Sequence, residues 1–200
     1  MIKVYYCNDY DFDCESRLHL LPSERVEKYH RLRFEKDKKN CVGVYLLLLK
    51  ALEEYGIREF LFNYTETGKP YIKGNPICFS FSHSKNGFAC AVSQKEIGAD
   101  IQEIVTPREA TLRKICTEKE KNLAANNSVA FTRLWTLKES IIKKNGTTIA
   151  DYGKYEFATD EKDFYAYRNH FISLIESDFV ITVCGEFEKA EFIKVKPTEI

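Results

Sequence analysis

The spacing of apolar residues predicts a strand and then two helices at the start of the chain. Residues 2–7 are mostly apolar and predict the first strand. A first helix is expected from Ser23, its N-cap, to about Phe34. A second helix is expected from Asp37, as its cap, to Gly56, where a left-handed residue suits a helix end.

Three further strands are predicted before the middle of the chain, at about 60–64, 77–83 and 87–93. In the second of these, Phe79 and Phe81 alternate with Ser80 and Ser82, a pattern typical of a half-buried strand. The segment from Thr65 to Gly74 contains two glycines and one proline, which predict an exposed turn.

The same order of elements then begins again with a strand at 96–102. Capping boxes at Thr106, followed by proline, and at Thr117 predict helix starts. A long helix is expected from Ser128 to Asn145, ending before Gly146. Short strands are expected near 154–159, 163–168, 171–176 and 179–184. We therefore predict an α+β duplication of two similar halves, 1–94 and 95–200, with a ligand site in the crevice between them.

Composition and charge narrow the function classes. The chain has 200 residues and is 44% hydrophobic, which excludes wholesale disorder. Thirty Lys and Arg balance thirty Asp and Glu, so the chain lacks the global basic excess of a nucleic-acid binder. Residues 1–150 carry 24 basic and 19 acidic groups, whereas residues 151–200 carry 6 and 11. An anion site is therefore expected in the first three quarters of the chain.

The apolar runs and the cysteines point to the cytoplasm. The longest apolar run, Cys41–Leu49, is too short for a membrane span of about 20 residues, and no secretory signal is visible. Seven scattered cysteines without a C-x-x-C pair indicate reduced thiols rather than a disulfide framework or a zinc site.

Two segments in the first half carry polar residues suited to anion binding. Lys69 stands between Gly68 and Pro70 on a stiff predicted turn, and Ser82 and His83 end a predicted strand. An ordinary surface turn and a polar hairpin would account for the same residues. The basic stretch from Arg25 to Lys39 would suit either a solvated helix face or the outer wall of a phosphate site.

Two segments in the second half carry carboxylates. Asp100 and Gln102 share one face of a predicted strand, where their oxygens would suit Mg²⁺ or simply be solvated. Glu139 and Lys143 form an i,i+4 pair at the edge of the apolar face of the long helix. They would form either a surface ion pair or a carboxylate and an ammonium that project into a cleft.

In this order the four segments resemble the 4′-phosphopantetheinyl transferases of the large, single-chain, surfactin-synthetase-activating type. The resemblance covers about residues 20–146. The residues that carry it are Gly68-Lys69-Pro70, Phe81-Ser82-His83-Ser84, Gly98-x-Asp100-Ile101, and Trp135-Thr136-Leu137-Lys138-Glu139-Ser140 with Lys143 and Gly146.

The resemblance implies a pseudo-twofold α+β fold with coenzyme A and Mg²⁺ in the cleft between the halves. It implies transfer of the phosphopantetheine arm of coenzyme A to a serine of an apo acyl or peptidyl carrier protein, with release of 3′,5′-ADP. Matched by position, the metal residues are Asp100, Gln102 and Glu139, and the catalytic residues are Glu139 and Lys143. The implied coenzyme A contacts are Arg25, Lys28, Lys69, Pro70, Ser82, His83 and Lys143.

Three positions depart from the family pattern. Gln102 replaces a frequent Glu, Asn40 replaces a common Arg near the 3′-phosphate, and Ser80 replaces a frequent Asn. Gln102 and Asn40 favour an alternative, a non-catalytic coenzyme A or carrier-protein binding module on the same fold. Because Asp100, Glu139 and Lys143 are retained, we expect an active enzyme. We also expect a monomer with neither nucleic-acid nor membrane partners.

Overall fold

Ten strands and five α-helices make up the computed structural model, which describes residues 1–74, 77–85 and 87–200. The strands are β1 (Ile2–Cys7), β2 (Phe62–Tyr64), β3 (Pro70–Ile72), β4 (Cys78–Ser84), β5 (Gly87–Ser93), β6 (Ile97–Glu103), β7 (Asp163–Ala166), β8 (Asn169–Ile175), β9 (Phe179–Gly185) and β10 (Ala190–Lys194). The helices are α1 (Ser23–Arg31), α2 (Glu35–Glu53), α3 (Glu109–Ile115), α4 (Glu118–Ala124) and α5 (Ser128–Asn145). Short 3₁₀ helices lie at Glu15–Leu20, Ile149–Lys154 and Pro197–Glu199.

Two four-stranded sheets share the order of three of their strands. The first sheet runs β10-β1-β5-β4, the second runs β6-β9-β8-β7, and β2 and β3 form a separate hairpin. In each sheet the first long strand pairs antiparallel with the second strand of a later hairpin, giving β1-β5-β4 and β6-β9-β8. The predicted α+β class is confirmed, and the shared strand order is the observation that supports a duplication.

Three cores hold the helices and sheets in layers. Helix α2 packs on the outer face of the first sheet, and α5 packs with α3 and α4 on the outer face of the second. The inner faces of the sheets meet in a third core, formed by side chains such as Val4, Ala91, Ala99 and Ile181. Within the described part of the chain, no helix is both long enough and apolar enough to cross a bilayer.

The serine face of strand β4 is buried, so the prediction of a half-buried strand with its serines on the open face is wrong, and His83 is the one exposed residue of the strand. Phe79 packs toward α2, while Ser80 and Ser82 face the second sheet and are also buried. Their hydroxyls accept the backbone N–H groups of Ala99 and Ile101 at 3.0 and 3.1 Å. The serines therefore satisfy the outer edge of β6, which explains polar residues on a face without solvent.

Three predicted helix caps are wrong, although α1 begins at Ser23 as predicted. Ser23 is the first residue of α1 rather than its cap, because the N-cap is Pro22 and its carbonyl accepts the first helical bonds. Asp37 lies in the first turn of α2, whose N-cap is Phe34. The capping box predicted at Thr106 does not form, since α3 begins after Arg108.

The other helix signals are confirmed. The Thr117 capping box forms with Glu120 at the start of α4. Helix α5 has the predicted bounds and ends at Gly146, which is left-handed with φ 63°. Gly56 is also left-handed, just after α2.

Several predicted strand positions differ from the structure. Residues 154–159 contain no strand; a 3₁₀ helix ends at Lys154 and an irregular segment follows. The predicted turn at 65–74 contains β3, which pairs with β2. Strand β10 was not predicted, and it returns the chain to the first sheet beside β1.

Candidate functional site

A cation-lined cavity of about 550 Å³ opens between α1, the β2–β3 hairpin, β4 and the end of α5. A second cavity of about 490 Å³ adjoins it across a shared wall that includes Arg25, Lys28 and Lys143. The residues implied for coenzyme A come together here from distant segments. Arg25, Lys28, Lys69, Pro70 and Lys143 line the first cavity, and Ser82 and His83 line the second.

Helix α1 presents a row of cations to the first cavity. Arg25 is held in place because it donates to the carbonyl of Cys41 at 2.8 Å and lies over the rings of Tyr45 and Phe81. Lys28 and Arg31 also line the cavity, and neither has an ion-pair partner among the described residues. The sequence reasoning missed Arg31, although its spacing of three from Lys28 gave the signal.

Lys69 links the β2–β3 hairpin to the second half of the chain. It follows Gly68, which is left-handed with φ 82°. Its ammonium pairs with Glu96 and donates to the carbonyl of Lys144 at 2.9 Å, at the end of α5. An anion entering the cavity would therefore compete with Glu96 for this ammonium.

The imidazole of His83 lies among positive charges. Desolvation in the cavity wall lowers its pKa, and the cations of Lys143 and Lys28 lower it further, against the opposing charges of Asp37 and Asp100. His83 is therefore mainly neutral near pH 7 and can donate one ring N–H.

Gly98 brings helix α5 close to strand β6. A Cβ atom at this position would overlap the carbonyl oxygen of Ser140 and crowd the backbone of Lys144. Because glycine permits this approach, the second turn from the end of α5 lies against the strand that carries Asp100. This packing is the physical reason for a glycine two residues before that carboxylate.

Asp100 uses only one of its carboxylate oxygens in bonding to the protein. Oδ1 accepts from the Ser82 hydroxyl at 2.7 Å and from the Lys143 ammonium at 2.6 Å. Oδ2 is buried and has no hydrogen-bond partner among the described residues. The ammonium of Lys143 also donates to the Ser82 hydroxyl at 2.9 Å, so these three side chains form one cluster.

Glu139 lies beside this cluster, and its Oε1 accepts the hydroxyl proton of Tyr152. Burial raises the pKa of the Glu139 carboxyl, and the charge of Asp100 adds to this, against the Tyr152 bond and Lys143. Lys143 pairs with Asp100 instead of Glu139, so the predicted alternative of a surface i,i+4 pair is wrong. Sequence reasoning missed Tyr152, which lies in a segment predicted neither as helix nor as strand.

The carboxylates fit a cation that takes most of its ligands from elsewhere. Across residues 1–74, 77–85 and 87–200, no three His, Cys, Asp or Glu side chains gather into a metal site. Oδ2 of Asp100 nevertheless has no partner among the described residues, and the Tyr152 bond to Glu139 uses Oε1. Gln102 is half-buried two residues along the same strand face as Asp100. Mg²⁺ is bound by one or two carboxylates with waters and substrate phosphates, and this donor set suits it.

Asn40 is a buried structural residue. Its side-chain oxygen accepts from the Tyr10 hydroxyl at 2.8 Å, and its amide donates to the backbone carbonyl of Ser84 at 3.5 Å. It lines neither of the two cavities. Arg31, which the family resemblance did not indicate, lines the first cavity instead.

A family model and several curated proteins are similar to parts of this chain. The model of the 4′-phosphopantetheinyl transferase superfamily matches residues 96–184, which contain Asp100, Glu139 and Lys143. A 4′-phosphopantetheinyl transferase of Bacillus subtilis is 32% identical over 133 residues, 62% of this chain and 59% of that protein. The transferase AcpT of Salmonella typhi is 35% identical over 94 residues, 42% and 48% of the two chains.

A further relative has a similar local match. The transferase gsp of Aneurinibacillus migulanus is 36% identical over 91 residues, 43% of this chain and 38% of that protein. The chain therefore covers less than two thirds of the length of these relatives. The segment that the superfamily model matches holds Asp100 and the helix that carries Glu139 and Lys143, and over this segment the chain is similar to the 4′-phosphopantetheinyl transferase superfamily.

Proposed function

We propose that this protein transfers 4′-phosphopantetheine from coenzyme A to a serine of an apo acyl or peptidyl carrier protein. The observation that carries the proposal is the cluster of Asp100, Glu139 and Lys143 beside a cation-lined cavity. Lys143 connects the two features, because it pairs with Asp100 and lines both cavities. A group transfer between phosphates needs cations around the diphosphate and a base beside the nucleophile, and this arrangement supplies both.

The two cavities would hold the phosphates and the adenosine of coenzyme A. Arg25, Lys28 and Lys69 offer three cations from two separate elements, and Arg31 adds a fourth. Ser82 and His83 would contact the part of the ligand that reaches the second cavity. Residues 1–94 would then provide most of the coenzyme A contacts, and residues 95–200 would supply the carboxylates.

Asp100 and Glu139 would hold the magnesium ion, with Gln102 as a neutral oxygen donor or as the partner of a bound water. When bound, the ion supplies positive charge to the phosphoryl oxygens. The buried oxygen of Asp100 without a partner supports this role, since an isolated buried carboxylate oxygen is costly.

Glu139 would act as the general base. The carrier serine oxygen forms a bond to the phosphorus that bears pantetheine, the bond from that phosphorus to 3′,5′-ADP breaks, and the serine proton passes to Glu139, directly or through a water. Burial raises the pKa of the Glu139 carboxyl, which makes its carboxylate a stronger proton acceptor. Lys143 would donate to the phosphate oxygens as their charge grows.

One chain supplies both walls of the cavity, so we infer that the protein acts as a monomer. Its seven free cysteines support a location in the reducing cytoplasm. Residues 24–31 and 64–81 form one wall, and residues 142–147 form the other. The alternative of a non-catalytic binding module is favoured by Asn40, whose amide is used in internal packing. That alternative predicts coenzyme A binding without transfer.

The test is incubation with coenzyme A, Mg²⁺ and a panel of apo carrier proteins, followed by intact mass spectrometry. At least one carrier should gain the phosphopantetheine mass. Glu139→Gln should lower the rate by about 10²–10⁴-fold, the usual contribution of a general base. Glu118→Gln, at an exposed position in the first turn of α4, is the matched control and should leave it unchanged. If a control enzyme modifies the carriers and this chain modifies none, only the binding-module alternative survives.

A further inference from the structure

The carboxylates of Asp100 and Glu139 are held in the same way. In each, one oxygen accepts from protein donors: Ser82 and Lys143 bind Oδ1 of Asp100, and Tyr152 binds Oε1 of Glu139. Oδ2 of Asp100 is buried without a hydrogen-bond partner within the described part of the chain, and the Tyr152 bond to Glu139 uses Oε1 and not Oε2. Both groups therefore offer a cation one oxygen each.

Tyr152 is anchored so that its hydroxyl stays on Glu139. The side chain is 3% exposed and packs in the core beneath α5, in the 3₁₀ helix Ile149–Lys154. Its backbone carbonyl accepts from the ammonium of Lys138 at 3.3 Å. Lys138 lies next to Glu139 on α5 and is itself fully buried, so helix and tyrosine are fixed relative to each other.

The number of oxygens that a carboxylate offers affects which cation it prefers. Mg²⁺ requires near-ideal octahedral geometry at 2.0–2.1 Å, which a carboxylate meets best with one oxygen. Ca²⁺ takes six to eight oxygens at longer distances and accepts carboxylates that bind with both. A hydroxyl that occupies one oxygen therefore favours the smaller ion.

We propose that Tyr152 is a positioning residue that makes the carboxylate pair select Mg²⁺ over Ca²⁺. It holds Oε1 of Glu139 and leaves Oε2 for the ion. The inference rests on the proposed function, because it takes the cation site of that function as given. It concerns a tyrosine outside the four motifs of the resemblance.

The test compares Tyr152→Phe with Tyr155→Phe by direct metal binding. Tyr155 lies three residues away, and its hydroxyl accepts from the Asn145 amide at 2.9 Å, away from the carboxylates. Mn²⁺ binding is followed by electron paramagnetic resonance, with and without coenzyme A, and Mg²⁺ or Ca²⁺ is added as competitor. Tyr152→Phe should lower the ratio of Mg²⁺ to Ca²⁺ affinity by about tenfold, the lower end of the effect of a partner that orients a ligand.

Three outcomes overturn the inference: an unchanged ratio in Tyr152→Phe, an equal change in Tyr155→Phe, or no Mn²⁺ binding by the wild-type protein. Circular dichroism checks folding, and Tyr152→Met replaces the phenylalanine variant if that variant does not fold. The transfer assay is run on the same wild-type protein. Tyrosine-dependent selectivity without transfer would reject the proposed function alone, and transfer without such selectivity would reject this inference alone.

Discussion

Helix α5 carries two lysines that pair with carboxylates in opposite ways. Lys138 pairs with Glu120 of α4, and both side chains are completely buried. The ammonium also donates to two backbone carbonyls, while the backbone N–H groups of Thr117 and Phe157 donate to the two oxygens of Glu120. Every polar atom of this closed pair has a partner in the protein.

The second pair, Lys143 with Asp100, is open. The Lys143 side chain is 30% exposed and lines the cavities, and one oxygen of Asp100 has no partner among the described residues. Burying ions is costly, and folding favours closing every bond around them. The closed pair therefore indicates a structural role, and the open pair keeps bonding capacity for a ligand.

Removing the ammonium of the closed pair should have the largest effect on stability. Lys138→Met leaves the buried Glu120 without its counterion and should lower the free energy of unfolding by about 3–5 kcal/mol. Lys143→Met should lower it by only about 1.5 kcal/mol, since water in the cavity can replace the ammonium. Urea unfolding measures both variants. Equal losses would show that the two pairs do not differ in kind.

Lys69 and Glu96 form a third pair at the mouth of the open site, and removing the cation should weaken coenzyme A binding. Lys69→Ala should cost about 1.5–3 kcal/mol of binding free energy, the range for hydrogen bonds to charged groups. Glu96→Gln should tighten binding, because Glu96 competes for the same ammonium. Isothermal titration calorimetry measures both, with Lys73→Ala on the same hairpin as control. Weaker binding in Glu96→Gln would mean that the pair positions Lys69 rather than competes for it.

Gly98→Ala should disturb the open pair, because Gly98 lies where α5 contacts β6. An added Cβ pushes α5 away from β6, at an expected cost of about 1–3 kcal/mol in stability. Transfer activity should fall by more than the loss of folded protein explains, because Asp100 and Lys143 come from these two elements. The control is Gly153→Ala, where the added Cβ meets open space. Stability and activity are compared on the same preparations; an active Gly98→Ala enzyme would contradict the packing argument.

The smallest effect is expected at Glu139, in the direction of greater stability. Burial raises the pKa of this carboxyl, so the folded state disfavours its ionised form. At pH 7, Glu139→Gln should therefore raise the free energy of unfolding by about 0.5–2 kcal/mol. The difference should disappear as the pH falls through the raised pKa toward the ordinary value. Urea unfolding over this pH range tests the sign, and a less stable variant at pH 7 would contradict it.

Local sequence patterns predicted the helix ends whose hydrogen bonds form between residues close in sequence. Helix α5 and its glycine end follow from helical periodicity and from Gly146. The Thr117 box forms because its partner Glu120 is three residues away. At Thr106 the same pattern fails, where the threonine hydroxyl instead contacts Ser128 at the start of α5. Patterns of this kind cannot report which distant group competes for a side chain.

The sequence predicted which residues lie at the candidate site but not which residues they pair with. The residues predicted to bind anions line the cavities, whereas the partners of these side chains depend on packing between distant elements. Lys143 binds Asp100 rather than its helical neighbour. Lys138 stands in the middle of the apolar arc of α5, a signal of a buried ion pair that the helical periodicity offered and the sequence reasoning left unused.

Strand β10 completes the first sheet only late in synthesis, because it lies near the end of the sequence. The first sheet has three of its strands by Ser93, but the partner of the outer edge of β1 begins at Ala190. At about 5–20 residues per second, that edge stays unpaired for roughly 5–20 s on the ribosome. An open strand edge invites pairing with other chains. The nascent protein is therefore most prone to aggregate while its second half is being made, and a chaperone that covers β1 would act in that interval.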